Sequence, residues 1–150
     1  MFFDNTSDTA TNYISQENRV YQVGLHTRHC QQAFELANRY YSKVITLSND
    51  SLLVFGGQTE AFTSTNFNIS AKVTQLTFRD GHRWDSLSWK PMQEARVNFA
   101  ALRLANGKVM VSGGFSHGHK GIRSCEVLDE AQQLSGIPDM TQARIAHSMC

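Results

Sequence analysis

Little in this chain is charged, and the charges nearly cancel. Of 150 residues, 18% are Asp, Glu, Lys or Arg, the formal net charge is +1, and no run of like charges occurs. That leaves no electrostatic footprint for nucleic acid, and none for an anionic lipid surface. No stretch approaches the roughly 18 consecutive apolar residues that mark a membrane-spanning helix. The opening MFFDNTSDT has neither a basic region nor an apolar core, so it does not read as a secretory leader. Cysteine is scarce as well. Cys30, Cys125 and Cys150 are odd in number and far apart, which excludes a disulfide framework and favours a reducing, cytoplasmic setting.

Catalytic signatures are also missing. No G-x-x-x-x-G-K-S/T phosphate loop and no G-x-S-x-G elbow occur, and no Ser/His/Asp set can be placed at one site. No pair of carboxylates stands out for acid/base work. Asp80, Asp85, Asp129 and Asp139 fall where turns are expected, and Asp is favoured in turns for local backbone bonding. His26, His29 and Cys30 are residue types that ligate zinc, but no second ligand pair follows at finger spacing, so they read as solvent-facing polar groups. No metal or other cofactor is expected.

What is present is a repeat. RYYSKVITLSNDSLLVFGG (Arg39 to Gly57) and RVNFAALRLANGKVMVSGG (Arg96 to Gly114) align without a gap over 19 residues, and a third copy opens at Arg144 as RIAHSMC. Arg39 and Arg96 stand 57 residues apart, whereas Arg96 and Arg144 stand 48 apart, as do Met92 and Met140. The extra nine residues lie between Gly57 and Met92, and an insertion confined in this way maps to a loop. Within each unit, apolar runs flank a turn. Val44 to Leu47 and Leu52 to Phe55 surround Asn49-Asp50; Ala100 to Leu104 and Lys108 to Val111 surround Asn106-Gly107. Asn-Gly predicts a hairpin with a type I′ turn. The runs are apolar nearly throughout, as suits strands covered on both faces. Further strands are predicted at Val73 to Phe78 and Cys125 to Leu128, with a fourth before each of Met92 and Met140. Four short strands per unit is the blade count of a β-propeller.

The double glycines Gly56-Gly57 and Gly113-Gly114, the NGKVMVSGG run, the CEVLD strand and the closure at Pro91-Met92 and Arg96 together resemble a kelch-repeat protein. The resemblance implies an all-β fold of kelch-type β-propeller blades, each a four-stranded antiparallel sheet. It divides the chain into a poorly ordered lead-in (1–18), a degenerate half-blade (19–38), repeat 1 (39–95), repeat 2 (96–143) and the start of a third repeat (144–150). A propeller takes four to eight blades of about 50 residues, so this chain makes an incomplete ring. The ring closes either within a longer protein or by self-association. Kelch repeats usually place a Trp six residues before the Met. Here those positions are Ser86 and Leu134, and Trp84 and Trp89 are the residues that would fill the space between blades. Gly56, Gly57, Gly113 and Gly114 are expected at positive φ. Arg39, Arg96 and Arg144 recur in register, which suggests a repeated packing or carbonyl-binding role.

The resemblance also implies a function. In kelch propellers the loops after the Gly-Gly strand lie on one end face, which commonly receives the partner. FSHGHKGIRS places His117, His119, Lys120 and Arg123 in one such loop, and imidazole is the side chain suited to sensing pH near neutrality. The matching loop of repeat 1 (Gln58 to Ser70) supplies Phe62 and Phe67, and buried aromatics and Arg make interface hot spots. The expectation is a protein-binding module that is not an enzyme, with another protein as partner and neither nucleic acid nor membrane. Ubiquitin-ligase receptors and actin organisers are implied variants. Sugar epimerases and galactose-oxidase-type copper oxidases are the enzyme alternatives on similar blades.

Overall fold

The computed structural model describes residues 11–24, 27–37, 39–59, 68–79, 83–117, 120–129, 131 and 134–147. Every regular element among them is a β-strand. Three antiparallel sheets follow one another along the chain. The first holds β1 (Thr11–Gln16), β2 (Arg19–Gly24) and β3 (Cys30–Glu35). The second holds β4 (Lys43–Ser48), β5 (Ser51–Phe55), β6 (Val73–Arg79) and β7 (Arg83–Trp89). The third holds β8 (Ala100–Arg103), β9 (Val109–Ser112), β10 (Cys125–Leu128) and β11 (Leu134–Ile137). Within each sheet the strands pair in chain order, and β4 lies between β1 and β8.

β5 shows why its sequence is apolar throughout. All five residues of Ser-Leu-Leu-Val-Phe are buried. Successive strand side chains point to opposite faces, so Leu52 and Val54 join Tyr13, Val20, Leu36 and Trp84 towards the first sheet. Leu53 and Phe55 join Phe99, Val109, Val111 and Leu128 towards the third. Each such side chain contributes about 1.5–3 kcal/mol when withdrawn from water. Trp84 and Trp89 divide the two faces between them. Trp84 meets Phe34 at a 4.6 Å centroid separation and Tyr13 edge-on at 5.9 Å, filling the gap to the first sheet. Trp89 packs on the opposite cluster.

Two sequence expectations change here. The poorly ordered lead-in over 1–18 stops short, because the chain is strand from Thr11. Tyr13 is the only large buried side chain of β1; its N–H donates to Thr46 Oγ1 at 2.8 Å and its hydroxyl to the Asn49 carbonyl at 2.9 Å. Asn12, Ile14 and Gln16 face solvent, which makes the segment look like a linker in sequence. Within 19–38, β2 and β3 stand as the last two strands of a sheet that β1 makes three-stranded among the described residues. The Asn106-Gly107 turn is not type I′. Only Gly107 has positive φ (83°), and its N–H donates to the Leu104 carbonyl at 2.9 Å, giving a type I turn ended by a left-handed glycine. Neither Asn49 nor Asp50 takes positive φ; a register shift between Thr46 and Ser48 absorbs that turn.

The first sheet lacks the sequence signature yet keeps the geometry. After the last strand of each sheet an N–H returns to a carbonyl one or two residues before that sheet's second-last strand: Leu36 to Asn18 (2.7 Å), Met92 to Ala71 (2.9 Å) and Met140 to Arg123 (3.0 Å). β2 and β3 thus match β6 and β7, and β1 matches β5 and β9. Glu17, the first residue after β1, has φ 53°, where Gly56 and Gly113 have 59° and 63°.

Candidate functional site at the glycine-rich end

The loops after β5 and β9 and the crossovers from β7 and β11 meet at one end of the sheets. Arginines tie their bases down. Arg39 lies beside the end of β5: its Nε donates to the Gly56 carbonyl at 2.8 Å and its Nη2 to the Val54 and Lys72 carbonyls, both at 3.1 Å. Its Nη1 reaches Thr74 Oγ1 at 3.3 Å. With carbonyls and a hydroxyl as partners but no carboxylate, burial pushes its pKa down to about 10. Arg96 repeats the arrangement one sheet on. It is fully buried and donates to the Gly113 carbonyl at 3.0 Å and to Ser124 O and Oγ at 3.1 and 3.0 Å. Where Arg39 meets Thr74, Arg96 meets Glu126 at 2.7 Å. The other Glu126 oxygen accepts the Gln93 N–H at 2.8 Å, and Glu94 accepts a short hydrogen bond from Ser124 Oγ.

Arg144 stands apart from these two. It is exposed, and its carbonyl accepts the Gly114 N–H at 2.7 Å. The arginine grip takes a Gly-Gly strand 17 residues further along, as at Gly56 and Gly113.

The glycines are set by contact as well as by φ. A Cβ on Gly56 would come within 2.5 Å of the Arg96 carbonyl, and one on Gly113 within 2.5 Å of the Arg144 carbonyl. Each glycine therefore lets the next unit's arginine segment cross its backbone. A Cβ on Gly57 or Gly114, at φ 95° and 89°, would come within 2.9 Å of the Tyr40 carbonyl and 2.5 Å of the Val97 carbonyl.

Beyond these fixed bases the β9–β10 loop presents its cations. His117, Lys120 and Arg123 are exposed. Ser116 N–H donates to the Lys120 carbonyl at 3.2 Å and closes the turn; Arg123 Nε donates to the Met140 carbonyl at 3.0 Å. Gly121 lies against Ala143 and Ile145, so Lys120 and Arg123 sit beside the segment that bears Arg144. Ile145, 48% exposed, holds the repeat position at which Val97 is fully buried against Ile69 and Phe115. His119, Phe62, Phe67 and His26 lie outside the described residues.

Several residues here escape a sequence reading. Glu126 looks like a surface residue of a short strand; the clue is a charge within an apolar run, in register with Thr74. His147 bonds Ser112 Oγ at 2.9 Å through Nε2. Burial, with Arg144 and then Lys43 nearby, holds its pKa below the usual histidine value. Cys125 is buried, which pushes its thiol pKa up and keeps it unreactive. His29 and Cys30 are exposed, and among the described residues no group of three or more His, Cys, Asp or Glu could hold a metal ion.

No family model and no curated protein matches this sequence. Solved structures do share its fold. One is a fungal alcohol oxidase of the AA5 family in complex with copper: TM-score 0.63 at 16% identity, over 88% of this chain and 32% of that one. Another is YjhT, with TM-score 0.64 at 12% identity, over 87% of this chain and 41% of that one. The sheets are therefore propeller blades, and the chain spans a third to two-fifths of these structures' lengths. The expectation that the chain is not an enzyme is corrected by the first of them, because an oxidase is built on these blades. At this identity the likeness carries the fold alone.

Proposed function

We propose that this chain is a run of kelch-type propeller blades, with repeats over 39–95 and 96–143, that recognises another protein through the loops of its glycine-rich end. One contrast carries the reading: the bases of these loops are fixed by the Arg39 and Arg96 hydrogen bonds, while the loop that follows β9 holds His117, Lys120 and Arg123 out to solvent. Interfaces gain affinity when the presenting element is already ordered. Lys120, Arg123 and Arg144 around the exposed Ile145 suit a partner segment that pairs carboxylates with an apolar anchor. A photo-crosslinking amino acid placed at His117, and separately at Asn106 in the turn at the opposite end, tests this in cell extract. Crosslinks from His117 to a discrete protein, lost on Lys120→Glu and absent from Asn106, support the reading. Equal labelling from both positions overturns it.

A second reading follows from the oxidase fold: the blades form part of an enzyme propeller. Its test is hydrogen peroxide production from primary alcohols by the copper-loaded full-length protein.

A further inference from the structure

A cavity of about 290 Å³ lies between the second and third sheets, away from the glycine-rich end. Leu53, Val109 and Leu128 are its buried floor, Leu47 and Trp89 its half-buried walls, and Arg103 stands at its mouth. Ligand sites are commonly apolar concavities of roughly 300 Å³ or more with a few placed polar groups. This one has that make-up, and it does not depend on the protein-binding reading.

Two features make it a formed site. The Trp89 ring is fixed at its edge, its Nε1 donating to Gln75 Oε1 at 3.0 Å, while Gln75 Nε2 donates to Ser51 Oγ at 2.9 Å. Gln75 lines the cavity with its amide already satisfied, so it offers an incoming molecule little beyond its surface. Arg103 is held in place by its Nη1, which donates to the Leu47 and Thr46 carbonyls at 2.7 and 3.4 Å. Its Nε and Nη2 make no hydrogen bond among the described residues. A fixed guanidinium with donors to spare, beside an apolar chamber with an indole wall, matches an anion attached to an apolar body. Arg suits carboxylates in particular, because its planar fork matches their two oxygens. Asp129 also lines the cavity.

We infer that this cavity binds a small monocarboxylate with an aromatic or branched apolar body, its carboxylate on Arg103 and its body against Trp89. The apolar part replaces water over Leu53, Val109 and Leu128. The carboxylate keeps strong donors as it leaves bulk solvent. An apolar molecule without a charge gives up the Arg103 contact.

The test uses phenylacetate and its neutral isostere phenylacetamide on the full chain, read by Trp fluorescence and by amide chemical shifts. Phenylacetate is expected to shift the signals of Gln75, Trp89 and Leu128 and to saturate. Phenylacetamide is expected to bind at least about tenfold more weakly, the loss of one hydrogen-bonded charge contact. Arg103→Met should remove that difference between the two probes while leaving phenylacetamide unchanged. Should Arg103→Met fail to fold, the comparison of the two probes on the unmodified chain decides alone. Equal affinity for both probes, shifts confined to other regions, or no saturable binding overturns the assignment.

Discussion

Arg96 Nη2 and Glu126 Oε1 meet at 2.7 Å with their side chains 0% and 2% exposed. The pair joins the crossover from β7 to the third sheet, since Glu126 also accepts the Gln93 and Glu94 N–H groups. Removing one partner leaves a buried charge uncompensated, which typically costs about 3–5 kcal/mol. Glu126→Ala is expected to lower the unfolding free energy by that much, read as a fall in the urea midpoint, a large share of the roughly 5–15 kcal/mol that stabilises a domain. Glu126→Thr copies the Arg39–Thr74 arrangement and should recover part of the loss. Equal midpoints for Glu126→Ala and the parent would show that the pair is not holding the crossover.

Glu17 takes φ 53° where its counterparts are glycines. A left-handed conformation at a non-glycine residue costs on the order of 1 kcal/mol. Glu17→Gly is therefore expected to raise the thermal midpoint by a few degrees, the opposite of what an average surface substitution does. Differential scanning calorimetry decides the sign.

Glycine substitutions should separate sharply by position. Gly113→Ala would bring a Cβ within 2.5 Å of the Arg144 carbonyl, at φ 63°, whereas Gly136→Ala meets nothing within 4 Å. The first should destabilise by more than about 2 kcal/mol, the second by less than about 0.5 kcal/mol. Matched urea melts of the two variants make the comparison.

Alkaline pH tests Tyr13. Burial, with Asp50 nearby, raises its hydroxyl from 10.0 to about 12. A raised folded-state value means that the contribution is complete below pH 10 and is lost as pH climbs through about 12. Between these values the unfolded chain has already released the proton that the folded chain keeps. Tyr13→Phe should flatten the fall in stability across that window. A fall that survives Tyr13→Phe would place its origin elsewhere.

Acid pH tests His147. Its folded-state value lies below the ordinary 6.5, so stability is lost as pH drops below 6.5 and the unfolded chain takes up the proton first. His147→Asn should weaken that dependence in melts from pH 7 to pH 5.

The units with a strong local signal were legible from the residues. β6, β10 and the two hairpins around Asn49 and Asn106 fall where apolar runs and turn residues place them, because both determinants are local. β1 was not legible, since a single buried Tyr13 carries its packing and the hydrogen bonds that fix it come from residues 46 and 49. At the candidate site the recurrence of Arg39 and Arg96 was visible, and their carbonyl partners follow from the repeat. Glu126 and the cavity beside Arg103 depend on which sheet faces which, and a linear pattern does not encode that.

Because Leu52 and Val54 look one way along β5 while Leu53 and Phe55 look the other, the middle sheet cannot exist alone in water with either neighbour peeled off. The amides of β5 should exchange only when the array opens as a whole, while β3, β7 and β11, each bordered by a single strand of its sheet, exchange through local fraying. Loosening would thus travel inward from the outer margins, and β5 would be the last strand to release its protection.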